Sequence, residues 1–110
     1  GMDFHARVGD PVLAVADGVV SFSGVKGGYG NVVEIDHGNG YKTLYAHNSR
    51  LTVREGGLVR AGQEVAKAGS TGRSTGAHVH FEVWQNGVVM NPRKFLGEGG
   101  NTPVGRVSRG

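Results

Sequence analysis

The segment His78-Val79-His80-Phe81-Glu82-Val83 is the strongest candidate for chemistry in this sequence. Along a β-strand, alternate side chains point to the same face. His78, His80 and Glu82 therefore share one face, and the apolar residues between them face a core. At a rise of about 3.3 Å per residue, the two imidazoles lie about 7 Å apart. One of them can bind a metal ion while the other lies beside the water on that ion; the alternative is a solvated polar strand face.

Two further residues become candidates only in combination with this pair. Asp3 lies in the segment GMDF, and an Asp near a terminus is ordinarily a solvated residue. His47 follows Tyr45-Ala46 at the end of a predicted strand, where connecting segments often carry function. Taken alone, His47 is more often a surface residue than a catalytic one.

Short β-strands must position these side chains. Glycine accounts for 21 of 110 residues and is spread between short apolar runs, which is typical of tight turns in an all-β domain. Asn39-Gly40 predicts a type I′ hairpin turn, segments 51–61 and 69–76 read as loops, and 92–96 as one helical turn. The predicted strands are 12–15, 18–22, 31–36, 41–46, 63–68, 77–84 and 87–90, the last two pairing across Gln85-Asn86.

The close spacing of these strands favours an antiparallel β-sandwich or open barrel. The length allows one domain, which we place at residues 1–96. Residues 97–102 (GEGGNT) resemble a linker. Residues 103–108 (PVGRVS) form a last β segment, which we expect to pair with the domain core.

Composition excludes several classes of site and partner. Cysteine is absent, which excludes disulfides and Cys-type zinc sites, and no apolar run approaches the roughly 20 residues of a membrane helix. No signal peptide is recognisable, so an exported parent would carry its targeting segment elsewhere. The net charge of +3 is consistent with a mildly basic surface or with attraction to anionic cell wall. Because the basic residues are scattered, we expect no nucleic-acid partner.

The order of motifs resembles the lysostaphin or LytM-type peptidase family over residues 1–96. The matching segments are GMDF, PVLAVADGVV, GYGNVVEIDHGNGYKTLYAH and GSTGRSTGAHVHFEV. The resemblance implies an all-β fold of the duplicated hybrid-motif kind. It also implies a zinc metalloendopeptidase that cleaves peptide cross-links of bacterial peptidoglycan in the periplasm or cell envelope.

The resemblance also implies roles for particular residues. Family members hold zinc with a His, an Asp and the second His of His-x-His, which makes Asp3 and His80 zinc ligands and His47 and His78 the catalytic pair. The first ligand, four positions before the Asp, falls two residues before Gly1 and outside these 110 residues. We therefore expect weak zinc binding and little cleavage by the 110-residue chain.

Several neighbouring residues have open roles. His5 shares strand parity with Asp3 and is either a substitute ligand or a surface residue. His37 is structural or lines a groove, and Glu82 either orients His80 or is a surface acid. The aromatic residues that line a groove or pack at its rim are Tyr29, Tyr45 and Trp84.

The last segment is displaced relative to the family order. PVGRVS resembles the strand that the family places before its zinc-binding His, yet here it follows the domain. Joining Gly110 to Gly1 would nearly restore that order, which suggests a circularly permuted domain. The alternative is an unrelated tail.

Two rival functions remain open. The first is a non-enzymatic relative that binds cell wall or activates an amidase or cell-division partner, although degenerate family members lose the catalytic histidines that this chain retains. The second is a biotinyl or lipoyl carrier, which segments 11–20 and 59–69 resemble. A carrier needs a modifiable Lys at a hairpin tip, and neither Lys26 nor Lys42 has that context.

Overall fold

The computed structural model describes residues 1–72, 76–96 and 101–106 of the chain. This part contains twelve β-strands and one helix of five residues, so the all-β prediction is confirmed. The helix α1 spans Pro92–Leu96. The strands are β1 (Met2–His5), β2 (Pro11–Leu13), β3 (Gly18–Lys26), β4 (Gly30–Gly38), β5 (Tyr41–Asn48), β6 (Arg50–Leu51), β7 (Leu58–Val59), β8 (Glu64–Lys67), β9 (His78–Gln85), β10 (Val88–Met90), β11 (Asn101–Thr102) and β12 (Gly105–Arg106).

The strands form two sheets and a small separate hairpin. The large sheet has the order β1-β9-β5-β4-β3-β7, and β10 also pairs with β9. The second sheet has the order β2-β8-β6, and β11 pairs with β12. The pairs in both sheets are antiparallel, as the spacing of the predicted strands indicates.

The main core lies between the two sheets. Tyr45 and Phe81 of the large sheet are fully buried and belong to one cluster with Val12 and Val65 of the second sheet. Burying such a side chain contributes about 1.5–3 kcal/mol. Alternation along β9 then turns His78 and His80 to the opposite face of the large sheet. A smaller apolar cluster lies on that face and consists of Val32, Leu44 and Ala46, with Phe22 and Tyr29 packed against it.

Two Asn-Gly turns connect neighbouring strands of the large sheet. Asn39 and Gly40 have φ angles of 53° and 79°, as a type I′ turn requires. Asn86 and Gly87 have φ angles of 50° and 80°, so the second turn lies one residue later than predicted. Gln85 therefore ends β9 and pairs with the first residue of β10.

Three short segments differ from the prediction. The predicted loop 51–61 contains the end of β6 and all of β7, because two-residue strands carry too little hydrophobic pattern to be recognised. The predicted strand 12–15 ends at Leu13, where the register with β8 shifts. The backbone of Ala14 instead bonds to the carbonyl of Gln63, with N···O 2.9 Å.

The C-terminal hairpin is also arranged differently. Gly105–Arg106 pair with Asn101–Thr102, the end of the predicted linker, rather than with either sheet. The hairpin contacts the domain where the Leu13 N–H donates to the Pro103 carbonyl at 2.8 Å. Residues 97–100 and 107–110 lie outside the described residues, as does the expected proximity of Gly110 to Gly1. The permutation therefore stays a prediction.

The described part of the chain has no helix of the length and apolarity needed to cross a membrane.

Candidate metal and catalytic site

Pairing of β1 with β9 brings Asp3 against the two histidines of His-x-His. Asp3 lies opposite His80 and His5 lies opposite His78, so all four side chains share one face. Oδ1 of Asp3 is 2.8 Å from Nδ1 of His80 and 3.5 Å from Nε2 of His78. Two segments about 75 residues apart in the chain thus form one polar cluster.

A β-bulge delivers His47 to the same cluster. Strict alternation along β5 would put His47 on the core side with Tyr45. The register with β4 shifts at this point, and His47 adopts φ 65°, which is uncommon for a residue with a Cβ. Its ring centroid consequently lies 5.1 Å from that of His78 and 5.9 Å from that of His80.

Backbone carbonyls determine the tautomers of His47 and His78. Nδ1 of His47 is 2.6 Å from the Thr71 carbonyl, and Nδ1 of His78 is 2.9 Å from the Gly76 carbonyl. A carbonyl only accepts, so each Nδ1 carries the proton. In the neutral form of each ring, Nε2 is then the nitrogen that can accept a proton. The His47 side chain is also nearly buried, at 8% exposed.

His80 lies between two carboxylates. Its Nδ1 faces Asp3, and its Nε2 is 2.8 Å from Oε2 of Glu82. Glu82 is 7% exposed and also accepts hydrogen bonds from the Tyr29 hydroxyl and the Trp84 indole. The surface-acid interpretation of Glu82 is therefore wrong, because the carboxylate is buried among donors.

The same contacts perturb both carboxyl groups. Burial alone would raise the pKa of Asp3, but the His80 hydrogen bond and the nearby imidazole charges outweigh burial and lower that pKa. Burial of Glu82 is likewise outweighed by the donors from His80, Trp84 and Tyr29, and its pKa is also lowered. Both carboxylates are thus held in the charged form that can accept hydrogen bonds or bind a cation.

Gly1 packs directly on the ring of His80. A Cβ at residue 1 would lie 2.4 Å from Cε1 of that ring and 2.8 Å from Nε2. The ring is held on both sides by Asp3 and Glu82 and has little room to move. Only glycine fits at this position without displacing His80.

Two other histidines have different surroundings. His5 is exposed on the face of the cluster. Nδ1 of His37 is 2.7 Å from the Asp17 carbonyl, and Nε2 is 2.6 Å from the Thr43 hydroxyl. His37 therefore cross-links strands, in keeping with the structural role considered for it.

A pocket of about 460 Å³ opens on the same face of the large sheet, next to the histidine cluster. Tyr29 and Trp84 line it, with Leu44 and the charged residues Lys26, Glu34 and Lys42. The Tyr29 ring also stacks on His80, with centroids 6.1 Å apart. Tyr29 and Trp84 thus line a groove, whereas Tyr45 is buried in the core.

The cluster matches zinc in the kind of ligand it offers. Imidazole nitrogen and carboxylate oxygen are zinc ligands, and catalytic sites use three of them plus an open position. Within residues 1–72, 76–96 and 101–106, no three or more His, Cys, Asp or Glu side chains are arranged to hold a metal ion. Asp3 and His80 are two side chains of the kind that zinc sites use.

Sequence reasoning missed two features of the cluster. It did not anticipate the bulge at His47 or the carbonyl of Thr71 that fixes the His47 ring. A backbone acceptor has no residue-type signature, since every residue has a carbonyl. The only local signal was the Gly-Ser-Thr-Gly segment, which predicted a loop there.

Comparison with known proteins identifies the family of this chain. The sequence model of peptidase family M23 matches residues 1–92. The DD-carboxypeptidase/endopeptidase Mpg of Neisseria meningitidis serogroup B is 54% identical over 92 residues, covering 84% of this chain and 21% of that protein. The murein hydrolase activator NlpD of Escherichia coli is 41% identical over 97 residues, covering 87% of this chain and 25% of that protein.

Solved structures show the same fold. A zinc-containing peptidase from Vibrio cholerae has a TM-score of 0.79 and 41% identity, covering 82% of this chain and 28% of that chain. The catalytic domain of lysostaphin from Staphylococcus simulans has a TM-score of 0.81 and 34% identity, covering 86% of this chain and 76% of that one. The chain spans only about a fifth to a quarter of the curated relatives described above. Since the family model covers 92 of its 110 residues, this chain belongs to peptidase family M23.

Proposed function

We propose that this domain is a zinc-dependent endopeptidase that cleaves peptide cross-links of bacterial peptidoglycan. The observation that supports this proposal most directly is that four side chains lie together on one face of the large sheet, namely Asp3, His47, His78 and His80. Membership of family M23 and the similarity to Mpg support the reaction type. Because peptidoglycan lies outside the cytoplasmic membrane, we propose an extracytoplasmic location.

Asp3 and His80 would hold the zinc ion in this proposal. Their Oδ1 and Nδ1 atoms face each other, and Glu82 occupies the other ring nitrogen of His80. Bound zinc would supply a water of lowered pKa and polarise the scissile carbonyl. The similarity to a zinc-containing peptidase supports this choice of metal.

His47 and His78 would handle protons and charge. With Nδ1 of each ring donating to a backbone carbonyl, Nε2 is the nitrogen that can accept a proton from water and later return it to the leaving amine. A protonated ring can also stabilise the developing oxyanion. Near-burial and the hydrogen bond to Thr71 keep His47 in one orientation for these steps.

The substrate peptide would lie along the outer face of the large sheet. The pocket beside Tyr29 and Trp84 adjoins the histidine cluster and has room for side chains of a peptide. Its aromatic walls offer flat apolar surface, while Lys42 and Glu34 offer charged groups. We propose that this pocket orients the peptide next to the scissile bond.

A second candidate is a non-catalytic domain that binds cell wall or activates an amidase. It is favoured by the similarity to the murein hydrolase activator NlpD. The presence of His47, His78 and His80 favours the enzyme.

Digestion of purified peptidoglycan tests the proposal and separates the two candidates. We would use the chain preceded by His-Ser, which supplies the His that family resemblance implies, with one equivalent of zinc. His47→Ala and His78→Ala should each lower peptide release by about 10²- to 10⁴-fold, while His5→Ala should leave it unchanged. Release that appears only after addition of a purified amidase, and equally with both variants, would establish the activator instead.

A further inference from the structure

Glu82 is nearly buried, and its two carboxylate oxygens accept hydrogen bonds from three donors. Oε2 is 2.8 Å from Nε2 of His80, and Oε1 is 2.8 Å from Nε1 of Trp84. The Tyr29 hydroxyl donates between them, at 3.0 Å from Oε2 and 3.3 Å from Oε1. Both oxygens are therefore engaged, and the carboxylate is fixed from three sides.

These contacts determine which nitrogen of His80 faces the proposed metal. An ionised carboxylate only accepts, so the Nε2 atom that points at Glu82 must carry a proton. Nδ1 lies against Oδ1 of Asp3, and it is the nitrogen left to bind a metal ion in place of its hydrogen bond to Asp3. Without Glu82, Nε2 would be available to the metal ion as well.

We propose that Glu82 is a positioning residue that fixes the tautomer and ring orientation of His80, so that Nδ1 is presented as the metal ligand. The proposal rests on the zinc-ligand role proposed above for His80. Trp84 and Tyr29 in turn hold the Glu82 carboxylate in place, because each donates a hydrogen bond to it. These two residues also line the pocket, so one buried acid connects the pocket wall to the ligand.

Glutamine cannot replace Glu82 in this role even though it has nearly the same shape. Its single amide oxygen can accept from His80 or from Trp84, and the NH₂ group then faces the other donor. A donor-to-donor contact in a buried position forfeits a hydrogen bond and leaves the groups unsatisfied. Glu82→Gln should therefore free the His80 ring or reverse its tautomer.

Glu34→Gln is a matched control. Glu34 is an acid on the same sheet face that lines the same pocket, but its ion pair is with Lys26 and not with a histidine. Both substitutions remove one negative charge. Only Glu82→Gln should act on His80.

The test uses the chain preceded by His-Ser and combines a nitrogen-15 NMR spectrum of its metal-free form with zinc titration against a chelator. In the unsubstituted protein, Nε2 of His80 should have the chemical shift of a protonated ring nitrogen. Glu82→Gln should weaken zinc binding by about 10- to 100-fold, whereas Glu34→Gln should change it less than about twofold.

Each outcome decides the proposal. An unprotonated Nε2 in the unsubstituted chain would overturn it, and this measurement needs no variant to fold. Equal zinc affinity in Glu82→Gln and Glu34→Gln would also overturn it. A protonated Nε2 with zinc bound tightly but peptidoglycan left intact would support the positioning role while the proposed endopeptidase function fails.

Discussion

At the scale of single residues, a chain of four hydrogen bonds around Tyr45 links the large sheet to the segment after β2. The Val15 N–H donates to the Tyr45 hydroxyl at 3.1 Å, and that hydroxyl is 2.8 Å from Oγ1 of Thr43. Thr43 in turn contacts Nε2 of His37, whose Nδ1 donates to the Asp17 carbonyl. With a neutral imidazole, all four hydrogen bonds run in one direction, from the Val15 N–H to the Asp17 carbonyl, and each donor in this series has an acceptor.

Tyr45→Phe should lower the free energy of unfolding at neutral pH. It should also make that free energy fall less steeply as the pH rises above 10. Burial raises the pKa of Tyr45 to about 12, from 10.0. Because this pKa is higher in the folded than in the unfolded protein, the free energy of unfolding keeps its full value below pH 10. It then falls by about 3 kcal/mol as the pH rises towards 12. The variant lacks this loss but forfeits about 1–3 kcal/mol at pH 7, because the Val15 N–H loses its acceptor.

Urea unfolding at intervals from pH 7 to 12 measures both effects. The stability gap between the two proteins should narrow above pH 10. Tyr41→Phe is the control, since the Tyr41 hydroxyl makes no hydrogen bond to the described residues. A gap that stays constant up to pH 12 would contradict the argument.

At the scale of elements, close backbone packing positions Thr71 and Gly72 against the turn between β3 and β4. A Cβ on Gly72 would lie 2.5 Å from the backbone N of Gly30 and 2.7 Å from the carbonyl O of Gly28. Thr71 is the neighbour of Gly72, and its carbonyl accepts a hydrogen bond from Nδ1 of His47. The turn between β3 and β4 therefore helps to hold the acceptor that fixes a catalytic candidate.

Gly72→Ala should lower both stability and the rate of peptidoglycan cleavage. The backbone of Gly72 has φ 73°, so alanine adds conformational strain as well as the clash, together about 2–4 kcal/mol. Displacement of Thr71 would release the His47 ring and reduce kcat. Thermal unfolding and peptide release from the chain preceded by His-Ser measure the two effects.

Gly62→Ala separates strain from clash. Gly62 also has a positive φ, 83°, but a Cβ there would have no neighbour within 4 Å. It should cost only about 1 kcal/mol and leave kcat unchanged. Equal effects of the two substitutions would show that the packing of Gly72 on the β3–β4 turn is unimportant.

At the scale of the whole molecule, the candidate site is assembled from three distant parts of the chain. Asp3 lies in the first strand, His47 at the end of β5, and His78 and His80 in β9. Among the strands that the structure describes, β1 pairs with β9 alone. A His added two positions before Gly1 would stand four residues before Asp3, which is the spacing of the family motif.

Adding His-Ser before Gly1 should tighten zinc binding at least about 100-fold, because a third protein ligand fixes the ion. Chelator competition measures the affinity, and release of peptides from purified peptidoglycan measures the gain in activity. Ala-Ser in place of His-Ser is the matched control and should restore neither. Stoichiometric, tight zinc in the 110-residue chain that is lost in His5→Ala would instead make His5 the third ligand.

The local pattern of the sequence was enough for the fold class and for the shared face of His78 and His80. Alternation along a strand and the φ preferences of Asn-Gly turns are properties of a few adjacent residues. The family was equally accessible, because its motifs occur in order along residues 1–92. The roles of Asp3, His47, His78 and His80 follow from that resemblance and stay predictions.

Only the tertiary structure decided how these side chains meet. By alternation His47 belongs in the core, and a bulge against β4 turns it to the histidine cluster. Glu82 is indistinguishable from a surface acid in sequence, yet Tyr29, 53 positions away, helps to bury it beside His80. Register shifts and burial depend on which distant strands pair, and the residues next to a position do not encode that.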